Sequence, residues 1–233
     1  MLVGGPAPIV NEGEGYWIAL SGALTPDMNM ALVSAAGADV VARTLERVTD
    51  SGTPTLFMLT GDCRSVELPD PWQHVGDVPF MASTLDEEYL RPDPRVRQAV
   101  ADDADIVCAV MCEAFGMARE VMIDVITSVV DDEHGSTKIW LLTEGDEVVS
   151  AALTSIVDDA VTVWCMSTPE RFARRGFARA ILADTLLRAK TSGATIGLLG
   201  ATPAGKPLYD ATGWITVEHW RMFATARSAQ FDS

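Results

Sequence analysis

Four arginines, Arg171, Arg174, Arg175 and Arg179, stand within nine residues of the stretch STPERFARRGFARAIL, Ser167 to Leu182. They surround a single glycine, Gly176, in a chain whose formal net charge is −16. A helical pattern begins directly after the glycine, with Ile181, Leu182, Leu186 and Ala189 at the spacing of one buried side. The first turn of a helix presents backbone N–H groups with no intrahelical partner, and the macrodipole adds positive potential there. Arginine at that end opposes the dipole, so an anion is needed to offset the cost. A phosphate or pyrophosphate suits both the free N–H groups and the cationic rim. Gly176 leaves the backbone open to a diphosphate, and Ala178 is the next smallest choice nearby. The cluster therefore predicts a pyrophosphate cradle.

Other residues with chemical potential are scattered. Cys63, Cys108, Cys112 and Cys165 form no disulfide framework, and His74, His134 and His219 are isolated. Cys108 and Cys112, four apart on an expected helix, share a face and read as small core residues, so no metal centre is expected. Cys165 invites a covalent mechanism, but strand alternation sets it opposite Met166 and no His/Asp pair stands by to activate it.

The elements that must position these residues fall into two halves. LDEEYLRPDPRV, Leu85 to Val96, mixes charge with two prolines and reads as a linker. Residues 1–92 carry 13 acidic and 4 basic side chains, and residues 93–233 carry 20 and 13. The first half predicts a strand at Met28–Ser34, a helix near Ala38–Thr49 and a strand at Thr55–Thr60. A proline-rich bend and another strand follow. In the helix, Val40, Val41, Leu45 and Val48 lie at helical spacing, and Gly52 and Pro54 end it.

The second half predicts two helices, three strands joined by tight turns, the helix after the cradle, a strand at ATIGLLG, a short helix near Lys206–Thr212 and a last strand pair. Connections this short require antiparallel pairing, giving an α+β domain on a mostly antiparallel sheet. The chain is long enough for a substantial core, with 48% hydrophobic and 21% charged residues. The excess of acid argues against nucleic-acid binding, and no apolar run reaches the ~20 residues of a membrane span. The opening MLVGGPAPIVNEGEG lacks signal-peptide features, so a cytoplasmic location is expected.

The order strand, cradle, helix resembles motif A of the GNAT family of N-acetyltransferases, whose pattern is Gln/Arg-x-x-Gly-x-Gly/Ala. Here the six positions read ARRGFA, Ala173 to Ala178: the glycine and closing alanine match, and Ala173 departs from Gln/Arg. PLYDATGWITVEHW resembles the family's Leu-Tyr-x-x-x-Gly-Phe segment, with Tyr209, Gly213 and Trp214. The resemblance covers about Arg97 to Phe223. It implies a GNAT fold with a mixed, mostly antiparallel sheet flanked by helices in a domain at 93–233. Residues 1–92 resemble part of a smaller, degenerate GNAT-like α/β unit without a glycine cradle.

Acetyl-CoA, or a related acyl-CoA, is then the expected cosubstrate, with no metal. The resemblance implies that the strand ending at Met166 splays from the strand at Thr195–Gly200 and that pantetheine lies in the gap. Main-chain contacts from Met166 and Thr168, with Ser167 between them, would hold that arm, and the N–H of Met166 would face the thioester oxyanion. Arg174, Arg175, Gly176, Phe177, Ala178 and Arg179 would surround the pyrophosphate, and Tyr209 would protonate the departing thiolate. The acceptor would be a small-molecule amine or a protein amino group, attacking directly in a ternary complex. Glu113, Glu144 and Asp146 are the candidate bases. A non-catalytic acyl-CoA-binding module is the alternative, and the oligomeric state is left open.

Overall fold

The computed structural model describes residues 9–34, 38–132 and 134–225. In chain order the elements begin with β1 (Ile9–Gly13), β2 (Tyr16–Leu20), β3 (Asn29–Val33), α1 (Ala38–Ser51), β4 (Leu56–Leu59), β5 (Gln73–Ser83) and β6 (Val96–Gln98). Then come α2 (Ala104–Phe115), α3 (Arg119–Asp131), β7 (Thr137–Glu144), β8 (Glu147–Val157) and β9 (Ala160–Ser167). The chain closes with α4 (Phe177–Thr191), β10 (Ile196–Gly200), α5 (Lys206–Asp210) and β11 (Ile215–Ala224). The fold is α+β, with a mostly antiparallel sheet flanked by helices.

Two compact units divide the chain, one of residues 80–217 and one of residues 2–79 with 218–233. In the first, the strand order is β5-β10-β9-β8-β7-β6, and β10 runs parallel to β9 while the other pairs are antiparallel. The eight residues Val148–Ser155 of β8 are all buried, so both faces of this central strand are covered. Helix α4 packs on β6 to β9, and α2 packs on β8 and β9. From α4, Leu182, Leu186 and Ala189 join Val161, Val163 and Leu199, while Phe177 and Ile181 join Leu142, Val149 and Ala152.

In the second unit the order is β1-β2-β3-β4-β11, with β3 and β4 parallel and joined through α1. Val41 and Val48 of α1 are buried against Ile18, Leu20, Ala31, Val33, Phe57 and Leu59. Val40 and Leu45 pack at the margin, only half-buried.

Several sequence expectations shift. The hairpin β1–β2 was not anticipated: every residue of β1 is exposed, so no period-two burial signal exists there. The short β6, three residues with only Val96 buried, likewise carries no periodic signal. The expected final strand pair is the single strand β11, since no turn residue interrupts Ile215–Ala224.

The segment 85–96 is not a loose linker. Leu85, Leu90 and Val96 are buried, and α4 holds the segment at three points. Lys190 Nζ donates to the Leu85 carbonyl (3.0 Å), Asp184 accepts from the Asp93 N–H (2.9 Å), and Arg188 donates to the Val96 carbonyl (3.3 Å). The division between the two compact units falls before this segment, at 79/80.

Candidate functional site

Strands β9 and β10 pair over three registers, Ile196↔Ala160, Gly197↔Val161 and Leu198↔Thr162. Among the described residues, no ladder pairing joins them beyond Thr162. On its other edge β9 stays with β8 as far as Ala151↔Ser167, and β10 stays with β5 as far as Gly200↔Phe80. The two parallel strands therefore diverge, and the β10-facing edge of Val163–Ser167 offers main-chain groups to an extended ligand, as an incoming strand would use them.

The divergence coincides with a β-bulge. Between Leu153↔Trp164 and Ala151↔Ser167, the single residue Ala152 of β8 faces both Cys165 and Met166. Cys165 takes φ +46°, a left-handed conformation that is unusual for a residue with a side chain. The bulge re-aims the end of β9, and the Met166 side chain packs against both core clusters beneath α4. Burial pushes the Cys165 thiol up to about 11, which keeps it protonated and non-nucleophilic near neutral pH.

The loop after β9 is braced by hydroxyls. Ser167 Oγ donates to the Cys165 carbonyl and Ser150 Oγ donates to the Ser167 carbonyl, each at 2.8 Å; Ser150 Oγ and Thr168 Oγ1 also lie 2.8 Å apart. The side chains of Ser167 and Thr168 thus position the loop rather than reach outward. Ser150 was not foreseen, because an isolated serine within a strand carries no local signal.

The chain enters α4 through two left-handed residues, Arg174 (φ +59°) and Gly176 (φ +85°, ψ 0°). A Cβ placed on Gly176 would meet nothing within 4 Å. Backbone handedness, not crowding, is therefore what demands glycine here, and the space above it is open. A left-handed residue followed by a helical one aims successive N–H groups into one concavity. The first intrahelical bond from this turn runs from the Ala180 N–H to the Gly176 carbonyl at 3.0 Å. The N–H groups of Phe177, Ala178 and Arg179 precede it, at the helix end where donors lack intrahelical partners.

The four arginines take different roles. Arg171 is paired with Glu113 of α2 and with Glu147 at 3.4 Å, and lies 4.4 Å over the Phe172 ring, so its charge is committed away from Gly176. Arg175 stacks 4.9 Å over Phe177, whose side chain is buried in the core. Arg174 and Arg175 are exposed beside Gly176. Arg179 is exposed as well, and it donates to the Ala211 carbonyl at 2.9 Å.

The structure also spends two of the three candidate bases on ion pairs. Glu113 is held by Arg171, and Glu144 lies 2.5 Å from Arg95. Asp146 is exposed in the β7–β8 turn.

Tyr209 is 6% exposed, on α5, in the same core cluster that Met166 flanks. Its ring centroid lies 5.8 Å from that of Trp214, and burial pushes its phenol up to about 12. The hydroxyl accordingly stays protonated through the physiological range and keeps its proton available for donation. Met166 packs against the core cluster that holds Tyr209 and also against the one that holds Phe177, the first residue of α4.

Cys108 and Cys112 have their sulfurs 3.7 Å apart, and burial pushes the Cys112 thiol up to about 12. Among the described residues, no group of three His, Cys, Asp or Glu side chains is placed to hold a metal ion. Also among them, no helix is long and apolar enough to cross a membrane.

No family model matches the chain, and no curated protein matches it. Solved structures do. A GCN5-related N-acetyltransferase from Kribbella flavida superposes with a TM-score of 0.64 at 14% identity, over 94% of this chain and 89% of that one. A functionally unknown conserved protein from Staphylococcus epidermidis gives 0.67 at 10% identity, over 97% and 96%. Saccharomyces cerevisiae N-myristoyltransferase, solved with bound myristoyl-CoA and inhibitors, gives 0.61 at 10% identity, over 91% and 65%. The chain therefore has the GNAT fold.

Proposed function

We propose that this protein is an N-acetyltransferase that moves an acetyl group from acetyl-CoA to a primary amine by direct attack in a ternary complex. The observation that carries the reading is the coincidence of three features at one sheet position. These are the β9/β10 divergence, the bulge at Cys165–Met166, and the left-handed Gly176 opening α4. A pantetheine arm occupies the gap between β9 and β10 and hydrogen-bonds the free edge of β9. Its pyrophosphate rests on the N–H groups of Phe177, Ala178 and Arg179, with Arg174 and Arg175 as the cationic rim.

The chemistry then follows from the chain's own groups. The neutral amine nitrogen forms a bond to the thioester carbon, and the carbonyl oxygen gains charge beside the Met166 N–H. Collapse of this intermediate breaks the C–S bond and expels the thiolate. Tyr209 donates a hydrogen bond to that sulfur; its phenol, at about 12, is a weaker acid than a thiol of ordinary pKa ~8.5. The tyrosine thus stabilises the leaving group, and solvent supplies the proton that completes the free thiol. The proton lost by the amine leaves to water. Cys165, half-buried and protonated, takes no part.

We further propose that the chain is a tandem of two GNAT-like units, at 1–92 and 93–233, the first degenerate. The units of the structure repeat one motif: a meander of strands, a helix, and a strand parallel to the last of the meander. This is β1-β2-β3-α1-β4 in one and β7-β8-β9-α4-β10 in the other. In the first, β3 pairs with β4 from Met30↔Leu56 to Val33↔Leu59, and the Thr60 N–H still reaches the Val33 carbonyl at 3.0 Å, so the counterpart of the gap is closed. The place where its glycine cradle would stand, residues 35–37, lies outside the described residues.

The test is release of free CoA thiol from acetyl-CoA in the presence of a panel of small primary amines and amine-bearing peptides. Acceptor-dependent release with the acetylated amine as product supports the reading. Saturable acetyl-CoA binding with no release by any acceptor would make the protein a binding module instead.

A further inference from the structure

A cavity of about 300 Å³ opens beside Gly176. Glu88, Tyr89 and Arg91 line one side of it, and Gly176, Arg179 and Ala183 line the other. All of these residues lie within the compact unit 80–217. The volume is at the lower end of small-ligand sites, ~300–1,000 Å³, and suits one nucleoside rather than an entire cofactor.

The wall formed by residues 86–93 is held in place. Lys190 anchors the Leu85 carbonyl on one side, and Asp184, 2% exposed, accepts from the Asp93 N–H on the other. Between these ties, Arg91 Nη1 curls back to the carbonyls of Glu87 and Leu90, each at 2.6 Å. Tyr89 is 36% exposed, and its ring edge stands where a side chain at position 213 would be. A Cβ on Gly213 (φ +80°) would come 2.6 Å from Tyr89 Cε2. The ring is thus backed by main chain, and the cavity is bordered by an aromatic group that needs little ordering on binding.

Connectivity then assigns the occupant. In an acyl-CoA the pyrophosphate joins pantetheine to 3′-phosphoadenosine. With pantetheine in the β9/β10 gap and the pyrophosphate at Gly176, the nucleoside must leave by a second route, and this cavity begins at that glycine. We infer that the segment Asp86–Asp93 is a nucleoside clamp. Tyr89 takes the face of the base, Arg91 and Arg179 take the 3′-phosphate, and Glu88 accepts from the exocyclic amine. The inference rests on the acyl-CoA reading above. It gives the stretch DEEYLRPD a binding role in place of a connecting one.

Calorimetric titration with three probes tests it: acetyl-CoA, acetyl-3′-dephospho-CoA and S-acetyl-4′-phosphopantetheine. For the wild type, the order of affinity is expected to follow that sequence. Tyr89→Ala should weaken acetyl-CoA binding about tenfold, in line with base–aromatic stacking, and leave phosphopantetheine binding within about twofold. The retained phosphopantetheine affinity also certifies the fold of the variant. Arg91→Ala should weaken acetyl-CoA and leave the dephospho probe unchanged. Equal wild-type affinity for acetyl-CoA and the phosphopantetheine probe would overturn the clamp while the acyl-CoA reading stands. Equal loss for both probes in Tyr89→Ala would make Tyr89 a structural prop and overturn it too. A wild type that binds none of the probes would overturn the clamp and the acyl-CoA reading together.

Discussion

Arg179, in the first turn of α4, donates a 2.9 Å hydrogen bond to the Ala211 carbonyl, at the C-terminal end of the helix that carries Tyr209. A cation from the proposed cofactor site thereby also satisfies a helix carbonyl that has no intrahelical donor. On the proposed function, this residue links the cofactor site to the helix of Tyr209. Arg179→Ala is expected to weaken acetyl-CoA binding about tenfold and to lower kcat as well, since α5 loses a tether. Arg174→Ala, whose side chain is exposed beside Gly176, should raise Kd and leave kcat near the wild-type value. Steady-state kinetics on the two variants separate these outcomes, and a KM effect alone for Arg179→Ala would contradict the linking role.

Gly176→Ala isolates the backbone argument. The new methyl group meets open space but must adopt φ +85°. Stability should fall by about 1–2 kcal/mol, the usual cost of a left-handed conformation for an L-residue. Urea unfolding measures it; an unchanged midpoint would mean that the loop relaxes without penalty.

Tyr209→Phe bears on both chemistry and stability. On the proposed mechanism, removal of the hydrogen-bond donor to the departing thiolate should lower kcat by about 10–100-fold with little change in KM. The pH dependence has a definite sign. The folded-state pKa, about 12, exceeds the ordinary value of 10.0, so this tyrosine's contribution is complete below pH 10 and is lost as pH rises toward 12. The wild type should therefore lose about 2–3 kcal/mol relative to Tyr209→Phe across that window. Parallel alkaline unfolding curves for the two proteins would refute the burial argument.

Cys165→Ala separates direct transfer from an acyl-enzyme. Direct transfer predicts kcat within about twofold of the wild type and intersecting initial-rate plots when both substrates are varied. Ping-pong kinetics, lost in the variant, would assign Cys165 the nucleophile's role.

The parts of the candidate site that are legible in sequence carry local signals. Four arginines around one glycine, with a helical pattern after it, located the turn into α4, and the Leu-Tyr segment located Tyr209. What escaped depends on contacts far apart in the chain. Arg171 has the sequence position of a cradle charge, yet its partners Glu113 and Glu147 lie 58 and 24 positions away. Leu85–Val96 has a linker's composition, but its order comes from Asp184, Arg188 and Lys190, roughly ninety residues or more distant. The bulge at Cys165 is similarly silent, since no glycine marks its left-handed residue. The exposed edge strand β1 buries nothing, so periodicity had nothing to report.

Calorimetric titration with acetyl-CoA tests whether an acyl-CoA is seated at Gly176 between β9 and β10. The wild type is compared with the double variant Arg175→Glu, Gly176→Glu. Saturable one-site binding by the wild type is expected, with its loss in a variant that remains folded by circular dichroism. Wild-type binding that persists undiminished in the variant would place the cofactor elsewhere. No binding by folded wild type free of copurified CoA would contradict the account outright.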